Sequence, residues 1–197
     1  GRHDRVDTPR GAVVKDRIDD AERRMDSAVK SLGGELASVR TGRASTALLD
    51  RVEVEAYEQM TPLNQLAQIN TPDARQITVA PYDPSLTKAI EKALQESDIG
   101  LTPNNDGELI RLPIPQPTEE RRKELVKVVG KMAEEGRIAV RNVRKDINNE
   151  LKRLEKDGEI SQNELSRGQD DVQKLTDASV ARVDEMLAAK ESEIMEL

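Results

Sequence analysis

One apolar stripe limits what this chain can fold into more than any other feature. Leu125, Val129, Met132, Gly136, Val140, Val143, Ile147, Leu151 and Leu154 recur at steps of three and four. That is the repeat of an α-helix with one buried face, and with its start at Thr118 the helix runs for about ten turns. A helix this long is held by tertiary packing of its apolar face, so it requires long helical partners. Thr118 reads as its N-cap, with Glu119 and Glu120 placing negative charge in the first turn.

The partners are visible on either side. Asp157 and Gly158 break the stripe, and Ser161 with Glu164 has the spacing of a capping box. It opens a third helix through Leu165, Val172, Leu175, Val183, Met186 and Ile194. So short a connection makes the two helices antiparallel neighbours. Upstream, Ile18, Ala21, Met25, Ala28, Leu32, Leu36 and Val39 predict a first helix from about Val14 to Arg40. Gly33 and Gly34 fall inside it at about 1 kcal/mol each relative to Ala, a cost that packing against the other helices must offset. The chain has no Phe or Trp and only Tyr57 and Tyr82, so the core is aliphatic.

Between the first and second helices the periodicity changes. Val52, Val54 and Ala56 alternate with charged residues as in a half-buried strand, and Gln76 to Ala80 reads similarly. Ser85 to Ser97 predicts a short amphipathic helix, Asn104 to Gly107 a turn, and Leu109 to Ile114 a further strand. The fold class is α+β: a three-helix bundle formed by 14–41 and 117–197, with a small β/α/β domain inserted at 42–116. Residues 1–13 are expected to be a disordered tail.

Both crossings into the insertion read as joints. Thr41, Gly42 and Arg43 form the first, where Gly42 is free to take positive φ; Pro115, Gln116 and Pro117 form the second, where proline restricts the chain to extended conformations.

The search for catalytic chemistry returns little. There is no Cys, which excludes disulfides and thiolate chemistry, and the single His3 lies in the expected tail. No phosphate-binding glycine loop or nucleophile elbow occurs. Neighbouring carboxylates such as Asp170 with Asp171 point apart on a helix and read as solvated. No enzyme activity, metal or cofactor is expected. No apolar run reaches membrane-spanning length, and GRHDRVDTPRGAVV lacks a signal-peptide core, so the chain is expected to be neither inserted nor exported.

Charge is unevenly distributed. Arg121 to Arg153 holds 11 Lys and Arg against 5 Asp and Glu, a net of +6, whereas Glu155 to Leu197 holds 5 against 12, a net of −7. Arg137, Arg141, Arg144 and Lys145 project from one side of the second helix, a side on which acidic residues are expected to be nearly absent. Such a stripe pairs either with acidic neighbours or with a polyanion, and the stripe alone leaves both open. Because aromatic residues for stacking are lacking, recognition of RNA would rest on phosphate and shape.

The segments RTGRAS (40–45), TPNNDGELIRLPIP (102–115), TEERRKEL (118–125), RIAVRNVRKD (137–146) and DDVQKLTD (170–177) resemble those of bacterial and organellar ribosome recycling factors, in the same order along nearly the whole chain. The resemblance implies an L-shaped monomer, with the bundle as long arm and the β/α/β domain as short arm. It implies binding to the large ribosomal subunit, with the bundle on 23S-type ribosomal RNA, and subunit splitting together with elongation factor G and its GTP. Matching by motif carries RNA contact onto Arg141 and Arg144, and also onto Arg40, Arg122 and Lys145. The chain departs from the family pattern at three places. Lys145 stands where Arg is common, Gln116 and Pro117 replace a more usual Pro and Leu, and Ala56, Tyr57 and Glu58 replace two Tyr and a Gly. The expected compartment is the bacterial cytoplasm, or else an organelle such as a plastid. The competing reading is a helical scaffold without RNA function; an RNA hydrolase is a third, for which no constellation is visible.

Overall fold

The structure, a computed structural model, describes residues 10–196. Three helices carry the long stripes: α1 (Arg10–Ser38), α4 (Glu119–Lys156) and α5 (Gln162–Met195). Between α1 and α4 lie β1 (Glu53–Ala56), β2 (Gln59–Pro62), a single helical turn α2 (Leu63–Leu66), β3 (Ala67–Asp73), β4 (Gln76–Pro81), α3 (Thr87–Glu96), β5 (Asn104–Asn105) and β6 (Ile110–Pro113). The described chain divides into two compact units, 10–39 with 124–192 and 40–123 with 193–196.

In the first unit, Ala21, Met25, Val29, Leu32 and Leu36 of α1 are buried, as are Leu125, Val129, Ala133, Val140, Val143, Ile147 and Leu151 of α4. The face contributed by α5 is narrower than its Leu and Met residues suggest. Gly168, Val172, Thr176, Ser179 and Val183 are buried, whereas Leu165, Leu175 and Met186 are only half-buried. Small residues let the backbones approach: a Cβ on Gly136 would come within 2.9 Å of Leu32 Cδ2, and one on Gly168 within 3.0 Å of Leu151 Cδ1. Thr176 satisfies its buried hydroxyl by donating to the Val172 carbonyl at 2.8 Å.

The expected caps form. Arg121 N–H donates to Thr118 Oγ1 at 3.1 Å. Glu164 N–H donates to Ser161 Oγ at 3.0 Å, and Ser161 N–H to Glu164 Oε1 at 3.3 Å, which completes the capping box.

Several expectations are corrected. Helix α1 starts at Arg10 rather than Val14 and ends at Ser38 rather than Arg40, so 10–13 are helical and not a disordered tail; 1–9 lie outside the described residues. The last proline before it in sequence is Pro9, and Ala12 and Val13 extend the helix without a breaker. The sequence reading also lacks β2 and β3, and the expected turn at Asn104 and Asn105 is a short strand whose reversal falls at Asp106 and Gly107.

In the second unit, β1 and β2 form a hairpin, and β3, β4, β6 and β5 form an antiparallel sheet in that order. Its core comprises Val52, Val54, Leu63, Ile77, Val79, Ile90, Leu94, Ile110 and Leu112, with further aliphatic neighbours.

Candidate nucleic-acid interface

Helix α4 presents its basic residues from a rigid support, because its opposite face is buried along almost its full length. The basic residues fall into two groups according to their partners.

Arg137 is tied down. Its Nε and Nη2 donate to Asp184 Oδ1 of α5 at 2.9 and 2.7 Å, and Nη1 donates to Glu134 Oε2 at 3.1 Å. Its side chain is only 19% exposed. Hydrogen bonding to Asp184 first, and then to Glu134, raises its pKa further above the ordinary arginine value, outweighing desolvation. This residue joins α4 to α5.

Arg141 and Arg144 are held more loosely. Arg141 Nη1 lies 3.6 Å from Glu134 Oε1, and nearly half of its side chain is exposed. Arg144 Nη1 donates to the neutral Gln173 Oε1 at 3.3 Å, so its charge has no carboxylate partner among the described residues. Lys145 is exposed. The expected near-absence of acidic residues is therefore corrected at one end of the stripe, where Glu134 contacts both Arg137 and Arg141. Glu134 lies three and seven residues before them, which puts it on the same helical face.

Exposed basic residues extend the stripe in both directions. Lys127, Arg141, Lys145 and Lys152 are exposed and follow the helical repeat over about 38 Å at 1.5 Å per residue. Lys127 and Lys152 lie outside the stripe expected from sequence, although the same spacing identifies them.

Arg122 is half-buried near the start of α4, and Arg40 is exposed in the segment after α1. The joint residues lie within the second unit. Thr41 is buried; Gly42 has φ of 79° with nothing near its missing Cβ; Arg43 is exposed. Ala44 N–H donates to the Ala74 carbonyl at 2.8 Å, and Ile114 N–H to the Arg75 carbonyl at 2.7 Å. Both crossings are thus pinned to the same reversal between β3 and β4, one just after Gly42 and the other just before Pro115. Pro115 and Gln116 are exposed and Pro117 is half-buried.

The model of the ribosome recycling factor family matches residues 32–195. The chain belongs to the ribosome recycling factor family. It is 53% identical over 180 residues to the ribosome-recycling factor of Rubrobacter xylanophilus, covering 91% of this chain and 97% of that one. It is 56% identical over 178 residues to that of Shouchella clausii, covering 90% and 96%. Among solved structures it is similar to the solution structure of a ribosome recycling factor, with a TM-score of 0.60, 39% identity and coverage of 93% and 98%. It is also similar to the T. thermophilus ribosome recycling factor described together with E. coli elongation factor G on the E. coli post-termination complex, with a TM-score of 0.56, 42% identity and coverage of 92% and 98%.

Among the described residues no group of three or more His, Cys, Asp or Glu is placed to hold a metal ion, and no helix is long and apolar enough to cross a membrane.

Proposed function

We propose that this chain is a non-catalytic translation factor that binds the large subunit of post-termination ribosomes and, with elongation factor G and GTP, drives subunit separation and release of mRNA and tRNA. The observation that carries the reading is a rigid basic helix with uncompensated charge at Arg144 and Lys145, in a chain of the recycling-factor family. Arg141, Arg144 and Lys145 contact ribosomal RNA phosphate, as do Arg40 and Arg122; Arg137 contributes by fixing α4 to α5.

The crossings at Thr41, Gly42 and Arg43 and at Pro115, Gln116 and Pro117 act as one joint between a bundle that holds RNA and an inserted domain on which elongation factor G acts. No cofactor is needed, since the GTP hydrolysis is the partner's. The place of work is the compartment that holds bacterial-type ribosomes, the cytoplasm. A scaffold built on the same helices would oligomerise through the apolar stripes, but much of each stripe is already buried within one chain, including Met25, Leu32 and Leu36 of α1, Val129, Val140, Ile147 and Leu151 of α4 and Val172, Val183 and Ile194 of α5.

The test is a subunit-splitting assay on post-termination ribosomes with elongation factor G and GTP. Splitting that depends on this protein is expected. Intact ribosomes under conditions where a known factor splits them would overturn the reading.

A further inference from the structure

The motif DDVQKLTD lies on α5, and two of its residues form a chain of hydrogen bonds that ends on the basic face of α4. Gln173 Nε2 donates to Asp177 Oδ1 at 2.8 Å, one helical turn on, and Gln173 Oε1 accepts from Arg144 Nη1 at 3.3 Å. Chemistry fixes the direction. A carboxylate only accepts, so Asp177 draws the amide NH2 toward itself, and the amide oxygen is left facing a guanidinium that only donates. If the amide turned over, donor would face donor at one end and acceptor would face acceptor at the other.

We propose that Gln173 and Asp177 are positioning residues for Arg144, holding its guanidinium ready for a phosphate without cancelling its charge. This rests on the RNA-binding reading and names how one contact of that surface is prepared. The contrast with Arg137, two turns earlier on the same helix, supports it. Arg137 is gripped directly by Asp184 and Glu134, so its charge is spent within the bundle. At Arg144 a neutral amide stands between the cation and the nearest acid of the chain of bonds. The Nη1 group is restrained, while the Nε and Nη2 edge has no partner among the described residues. That edge has the two-pronged geometry that matches a phosphate. Ordering a long side chain in advance also reduces the conformational entropy lost on binding. Of the other motif residues, Val172 and Thr176 face the core.

Gln173→Glu tests the proposal, because it keeps the length and shape of the side chain while turning the Arg144 site into one like that of Arg137. Affinity of the full-length protein for isolated large subunits should fall on the order of tenfold. The slope of log affinity against log salt should shrink by about one. Both effects should vanish when Arg144 is already Ala. Gln173→Ala should lower affinity but leave the salt slope as in the wild type, since the restraint is lost and the charge remains.

In the free protein, Asp177→Asn should shift and broaden the Arg144 Nε–H signal in nitrogen-15 NMR. Wild-type affinity in Gln173→Glu, or an equal loss in the Arg144→Ala background, would overturn the proposal. If the wild type itself fails to bind large subunits, the recycling reading falls on its own. The NMR signal still decides the relay in that case, and an Arg144 signal unmoved by Asp177→Asn overturns it.

Discussion

Arg137 and Arg144 carry the same charge on the same helix, and their partners separate what each contributes. Removing Arg137 takes away a bridge from α4 to α5 whose acid, Asp184, is about half exposed, so solvent screening limits the cost to about 1 kcal/mol. Arg137→Ala should therefore lower the urea midpoint. Arg144→Ala should leave that midpoint in place but weaken large-subunit binding and flatten its salt dependence by about one unit of slope. If Arg144→Ala changes neither binding nor slope, Arg144 is only a solvated residue.

Asp106 gives a residue-scale prediction in pH. Its carboxylate accepts backbone N–H bonds from Leu109 and Glu108 and a bond from Arg111 Nε, which lowers its pKa from 3.8 to about 2. A depressed folded pKa means that the contribution is complete above 3.8 and is lost as pH falls toward about 2. The stability difference between wild type and Asp106→Asn should thus shrink across that interval. A difference that stays constant with pH would show that the ionised form has no advantage in this turn.

At the scale of elements, the β1–β2 hairpin turns through two residues with left-handed backbone, Tyr57 at φ 52° and Glu58 at φ 64°. This is the pattern of a two-residue hairpin turn that favours glycine or asparagine. Tyr57 has a compensating bond, donating its hydroxyl to Asp83 Oδ2 at 2.6 Å, whereas no hydrogen bond joins the Glu58 side chain to any described residue. Glu58→Gly should stabilise the inserted unit by about 0.5–1 kcal/mol, the relief of strain less the added freedom of the unfolded chain. An unchanged or lower thermal midpoint would mean that Glu58 is not strained there. In the bundle, Leu36 is buried at 4% exposure, so Leu36→Ala should cost about 2–5 kcal/mol in denaturant unfolding. A loss below about 0.5 kcal/mol would place Leu36 outside the core.

These elements also explain how much was legible in the sequence. The three long helices were, because each buries one face along many turns and the periodicity accumulates. The strands β2 and β3 were not: Gln59 to Asp73 is mostly exposed, includes Pro62 and Pro72, and shows no sustained alternation. In the candidate interface, the helical repeat singles out Arg141 and Arg144. It could not reveal that Arg137 is bound to Asp184, 47 positions away, because that pairing exists only once α4 and α5 pack. Gln173 and Asp177 were within reach as a polar pair at one-turn spacing inside a motif already noted, but nothing in the sequence placed them against Arg144.

For the whole molecule, binding and splitting should be separable at the crossings between bundle and insertion. Ala44 and Ile114 are both fastened to the reversal at Ala74 and Arg75, so the chain is anchored on the insertion side of each crossing. Gly42 is the residue whose conformation depends most on its identity. Its φ of 79° suits glycine, and proline, locked near −65°, cannot adopt it. Gly42→Pro also biases Thr41 toward extended backbone and removes an amide donor, which forces the crossing into a different path. If the bundle holds RNA while elongation factor G displaces the insertion, the variant should bind vacant large subunits near the wild-type level, with unchanged helicity by circular dichroism, and should split post-termination ribosomes poorly. Equal losses in both assays would mean that the substitution had disturbed the neighbouring Arg40 surface or the fold. Full splitting activity would show that the conformation at Gly42 is not needed for the work of the joint.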